Sequence, residues 1–143
     1  MSPRRLPRAL FAFALALASA AHADAPQDFI LHCQGCHGAD GQGVPHKVPA
    51  IAESIPRLVA IEAGREFLMR VPGAASSRLP DERLAGVLNW LVERYAGPAA
   101  LKRPYTAEDV GAARRRPLAA VHRTRLEIAA QLAAAGLASP ADY

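Results

Sequence analysis

Apolar and polar positions along the chain alternate at helical rather than strand spacing. The clearest run is 80–95, where Leu84, Val87, Leu88, Leu91, Val92 and Tyr95 recur at i, i+3, i+4, i+7, i+8 and i+11 and form one apolar face. Pro80 suits a first turn, Asp81 and Glu82 suit the positive end of the helix dipole, and Gly97-Pro98 marks the stop. Upstream, 26–33 reads as a short helix bearing Phe29 and Ile30. Residues 35–49 form a loop punctuated by Gly35, Gly38, Gly41, Gly43, Pro45 and Pro49. The pattern over 57–71 predicts one or two helices ended by Pro72-Gly73, followed by a connector over 74–79. Beyond Pro98, Thr106 is placed to cap a helix over 107–116, with Glu108 and Asp109 in its first turn. Pro117 interrupts, and 118–137 is again helical, with Leu118, Val121, Leu126, Ile128, Ala129 and Leu132 as core candidates and Gly136 near its end. β-Branched residues are scattered and no two-residue hairpin turn separates alternating runs, so the expected fold class is all-α.

The first 23 residues stand apart from this pattern. Arg4, Arg5 and Arg8 precede an uncharged apolar run over 9–21, and Ala21-His22-Ala23 offers small residues where a signal peptidase reads them, the layout of a secretory signal peptide cleaved after Ala23. The run is shorter than the ~20 residues a membrane-spanning helix requires. Cleavage would leave 120 residues, enough for one modest domain, and the expected division is 24–97 as a domain and 98–143 as a helical extension.

This division changes the reading of charge. The whole chain is formally +4, but removing 1–23 discards three arginines and no acid, leaving 14 basic against 13 acidic side chains. A nearly neutral body gives no support to nucleic-acid binding. The remaining charge is uneven: 24–97 holds seven basic and nine acidic residues, and 98–143 holds seven and four. Arg114, Arg115, Arg116, Arg123 and Arg125 cluster in the tail, either as a docking surface for an acidic partner or as the solvated face of helices packed on the domain.

The chemistry concentrates at Cys33-Gln34-Gly35-Cys36-His37. Two thiols at i and i+3 lie on one side of a helical turn, where each can add to a vinyl group of one porphyrin, and the following imidazole projects toward the iron. Cys-x-x-Cys-His is the signature of c-type haem attachment. An exported two-cysteine protein would otherwise suggest a disulfide, a thioredoxin-like pair would want a strand before the motif, and a zinc site would need further ligands at suitable spacing. Cys33 and Cys36 are therefore expected to bind one haem c covalently, with His37 as an axial iron ligand.

With these residues in place, the chain resembles the class I cytochrome c family over 26–96. Cys36-His37-Gly38-Ala39-Asp40-Gly41-Gln42-Gly43 is similar to the family's stretch after the haem motif, and Val48-Pro49-Ala50-Ile51 to its Gly-Pro-x-Leu segment, which implies that the Pro49 carbonyl orients His37. The run Leu79-Pro80-Asp81-Glu82 through Trp90-Leu91 is similar to the family's final helix, which crosses the first one, so the resemblance implies that Phe29 meets Trp90 or Tyr95. It also implies a methionine as the second axial ligand. Met69 is the one methionine after residue 23, although it is followed by Arg70-Val71-Pro72 where the family reads Met-Pro, and a methionine within a helix ordinarily fills the core. His46 is the main rival, His32 and His122 rank behind it, and a vacant sixth position is the third alternative.

The expected function is one-electron transfer in the periplasm, between a donor dehydrogenase and an acceptor oxidase or other cytochrome, without stable membrane insertion. The piece over 65–90 is also similar to small periplasmic cytochromes that serve amine or alcohol dehydrogenases, which implies a donor of that kind. The competing expectation is a haem enzyme or a gas or redox sensor with an open or weakly ligated sixth position.

Overall fold

The structure, a computed structural model, describes residues 24–138; the expected signal segment lies outside the described residues. Eight α-helices follow among these: α1 (Ala25–His32), α2 (Gln34–His37), α3 (Ile51–Leu58), α4 (Glu62–Arg70), α5 (Pro72–Ala75), α6 (Asp81–Ala96), α7 (Ala107–Arg114) and α8 (Val121–Ala134), with a 3-10 turn at Pro98–Ala100 between α6 and α7. No strand occurs among the described residues apart from an isolated bridge between Val44 and Val48. The all-α expectation holds.

Helix boundaries follow the residues that can and cannot continue a helix. Val71, held extended before a proline, ends α4, and Pro72 then opens the one-turn α5. Where 57–71 suggested a helix beginning at Arg57, α3 starts earlier, at Ile51, and accommodates Pro56 within it. Pro80 precedes α6 and Gly97, at φ +82°, ends it. Thr106 caps α7 as expected: its hydroxyl accepts from the Asp109 amide while the Asp109 carboxylate accepts from the Thr106 amide, a reciprocal capping box.

Helix α6 is the axis of the core. Its apolar face buries Leu84, Val87, Leu88, Leu91 and Val92, and α1, α3 and α7 pack against it. The α1–α6 crossing brings Phe29 and Trp90 together, ring centroids 5.4 Å apart at 49°. Beside it Asp28, wholly buried, accepts hydrogen bonds from Nε and Nη2 of Arg83 on α6. This bidentate pair fixes the two helices about one another.

The segment after Gly97 belongs to the same core. Val110, Ala113, Ile128 and Leu132 are buried in one cluster with Phe29 and Leu88. The connection is keyed by Asn89 on α6, which donates to the Tyr105 carbonyl (3.0 Å) and accepts from its amide (2.7 Å). Buried Arg65 on α4 lies over the Tyr105 ring, 4.3 Å from its centroid. Burial pushes the Tyr105 phenol up to about 12, against the opposing pull of Arg65. The tail's charges are in part committed to the body: Arg114 pairs with Asp81 and Arg116 with Glu66. Leu126 departs from expectation, being 57% exposed and turned to a cavity rather than to the core.

Candidate functional site

The cavity in question is about 420 Å³, within the ~300–1,000 Å³ usual for cofactor and ligand sites. Its walls are mainly apolar, drawn from α3 (Ile55, Leu58), α4 (Phe67, Leu68) and α6 (Leu84, Leu88). Cys33, Cys36 and His37 all line it. Helix α2 brings them together: Cys33 precedes it, its carbonyl accepts from the His37 amide at 3.0 Å, and the turn stacks the two cysteines on one side. Both thiols are free of disulfide, Cys33 half-buried and Cys36 exposed. Burial, followed by the charges of Asp28 and Cys36, pushes the Cys33 thiol up, which lowers its thiolate fraction at neutral pH.

The imidazole of His37 is held by the loop that follows. Nδ1 lies 3.1 Å from the Pro49 carbonyl oxygen. A carbonyl only accepts, so Nδ1 carries the proton and Nε2 keeps its lone pair for a metal. The loop reaches this position by folding on itself: the Gly43 amide donates to the His37 carbonyl (2.8 Å), and Val44 and Val48 exchange backbone hydrogen bonds of 2.9 Å. Gly43 has φ +65°, and a Cβ there would sit 2.6 Å from the Pro49 carbonyl oxygen. Only glycine permits the conformation and the close approach together.

The remaining candidates divide. Met69 does not reach the cavity. Its neighbours Phe67 and Leu68 line the wall, but at about 100° per residue Met69 points elsewhere, 7% exposed within the core cluster. The helix runs on through Arg70 and leaves no loop to turn the thioether inward. His46, the main rival, is an exposed loop residue at φ +61° and lies outside the cavity lining. His32, at the end of α1, lines the cavity beside Cys33, and His122 lines it from α8. The signal for His122 was present in the sequence, since it falls on the same stretch of helix as Val121, Leu126 and Ile128, but only the packing of α8 turns that stretch toward the cavity.

Fold and site together define a class: an all-helical protein closed around a cofactor-sized apolar cavity with two thiols and an imidazole on its wall. That donor set fits a covalently attached haem, with two sulfurs for the vinyl groups and a nitrogen, oriented through its other ring atom, for the iron. No family model matches the chain. Over 98 residues it is 34% identical to a cytochrome c-552 from Thermus thermophilus, an alignment covering 54% of this chain and 75% of that protein. A second cytochrome c-552, from a named strain of the same species, matches at the same 34% identity over 98 residues, with 66% of that protein covered. The chain belongs to the class I c-type cytochromes. As such it carries one covalently bound haem c with iron, and it is an electron-transfer protein that works with redox partner proteins.

Proposed function

We propose that the protein is a periplasmic one-electron carrier whose haem is held by Cys33, Cys36 and His37, and that it passes electrons from a dehydrogenase to a respiratory acceptor. The observation that carries this reading is the convergence of both thiols and a Pro49-oriented imidazole on one apolar cavity. Cys33 and Cys36 would each hold the haem through one vinyl group, the sulfur bonding one carbon and the thiol proton going to the other, so attachment would consume no oxidant. Nε2 of His37 would offer its lone pair to the iron, with Nδ1 held by the Pro49 carbonyl. When bound, the haem supplies a ferric/ferrous couple. The apolar walls contributed by α3, α4 and α6 would limit solvent access to the haem and so help set its potential. Residues 24–97 form the haem-binding domain in this reading and 98–143 its extension.

Ile30 and Leu31, 56% and 66% exposed, stand three and two residues before Cys33 and form an apolar patch suited to brief docking. Export rests on residues 1–23, and among the described residues no helix is long and apolar enough to cross a membrane. The test is expression with haem-attachment machinery. The exported product should begin at Asp24, show two saturated vinyl groups in its pyridine haemochrome spectrum, and titrate as a one-electron couple. C33A and C36A should each retain one thioether. Haem that washes out of the wild-type protein on denaturation would overturn the attachment, and steady turnover of peroxide would move the function to enzyme.

A further inference from the structure

Held by two thioethers and His37, an iron centre has one axial position left, on the face away from His37. The side chains that could fill it are those reaching the cavity with a nitrogen or sulfur atom outside the attachment motif: His32, Lys47, His122 and Arg125. Arg125 is a permanently protonated guanidinium with no lone pair to give. Lys47 lies two residues before Pro49, whose carbonyl holds His37, so it belongs to the loop on the His37 side. His32 immediately precedes Cys33, on the same chain segment that carries the attachment motif. His122 differs from all three. It is brought by α8, whose principal packing partner is α4, the helix that contributes the Phe67 and Leu68 wall.

The surroundings of His122 point the same way. Val121, Leu126, Ile128 and Ala129 line the cavity from the same helix, with Leu126 one turn after His122. His122 is exposed on α8, and its imidazole makes no hydrogen bond or ion pair among the described residues, so its nitrogens are uncommitted to other side chains. The methionine that could compete, Met69, is packed into the core. We propose that His122 is the second axial ligand of the haem iron, so that the C-terminal helix closes the site and the iron is held between two histidines. This rests on the attachment through Cys33, Cys36 and His37 proposed above. A neutral imidazole is a suitable donor for iron in either oxidation state, and replacing a methionine by it lowers the reduction potential relative to Met/His ligation.

The experiment uses the matured holoprotein and reads the optical, electron paramagnetic resonance and near-infrared magnetic circular dichroism spectra. The wild type should be low-spin, carry a bis-imidazole signature, lack the sulfur-to-iron charge-transfer band, and not bind carbon monoxide when reduced. H122A should become high-spin and bind carbon monoxide, and added imidazole should restore the low-spin spectrum. H32A and M69A should retain the wild-type spectrum. A sulfur-to-iron band in the wild type that disappears in M69A would overturn the proposal without any need for the His122 variant. So would a high-spin wild type, or low-spin character lost in H32A and kept in H122A. The pyridine haemochrome of the same samples separates the two readings: two saturated vinyl groups with an unchanged H122A spectrum defeats the His122 ligand alone, whereas unattached haem defeats the attachment itself.

Discussion

At the scale of single residues, the site depends on where a few side chains point, and His37 and Met69 illustrate the two outcomes. His37 is held by a contact twelve residues away in the chain, and that contact exists because Gly43 lets the loop turn back onto Pro49. Its position was therefore readable from local motifs: the imidazole follows the second cysteine, and the glycine and proline that orient it lie in the next dozen residues. Met69 was not readable in this way. Its chemistry suits iron, but its direction is set by the rotation of α4 against the core, which no local pattern encodes. M69A should lower stability by roughly 2–5 kcal/mol, the cost of emptying a buried methionine site, while leaving the ligand bands in place. M69L, nearly isosteric, should cost under about 1.5 kcal/mol. Denaturant midpoints paired with visible spectra of the two variants check both halves.

At the scale of elements, α6 was the most legible part of the chain because an unbroken helical period from Leu84 onward specifies one face, and that face is the one buried. The clamp between α1 and α6 was not. Asp28 and Arg83 are 55 residues apart and look like ordinary surface charges in the sequence, yet the crossing of the two helices buries the carboxylate completely. R83A would leave that carboxylate without its partner, and a loss of about 2–3 kcal/mol is expected, somewhat below the usual cost of breaking a buried pair because the arginine is itself half exposed. The α7 cap has a pH signature. Slight burial acts to raise the Asp109 carboxyl, but hydrogen bonds from Thr106 outweigh it, with Arg103 and Arg65 assisting, and hold it below the usual carboxylate range. A depressed folded-state value means that the contribution is complete above the unfolded carboxylate range and is lost as pH falls through the folded one. T106A should therefore cost about 1 kcal/mol at neutral pH and somewhat less in acid, where the protonated Asp109 no longer accepts from the Thr106 hydroxyl although that oxygen still caps the Asp109 amide. Unfolding midpoints of wild type and T106A, followed from neutral pH down into acid, test the convergence.

For the whole molecule, the segment after Gly97 bears most on the site. Its arginines left two readings open, a docking surface for an acidic partner or the solvated face of helices packed on the domain. Tyr105, Val110, Ala113, Ile128 and Leu132 do pack into the core, and α8 furnishes one wall of the cavity. Truncation after Gly97 should accordingly destabilise the whole protein and expose the cavity, seen as a lower melting temperature and faster access of small ligands to the haem. A tail that merely docks a partner would leave both unchanged. The sequence by itself determined whatever depends on neighbours in the chain: helix period, the caps at Pro80 and Thr106, the spacing of Cys33, Cys36 and His37, and thereby the class of cofactor. Tertiary structure alone decided which residues face the cofactor from afar, because the rotation of a helix about its axis and the partner it packs on are properties of the assembled core. Those two facts withdraw Met69 from the cavity and bring His122 to it.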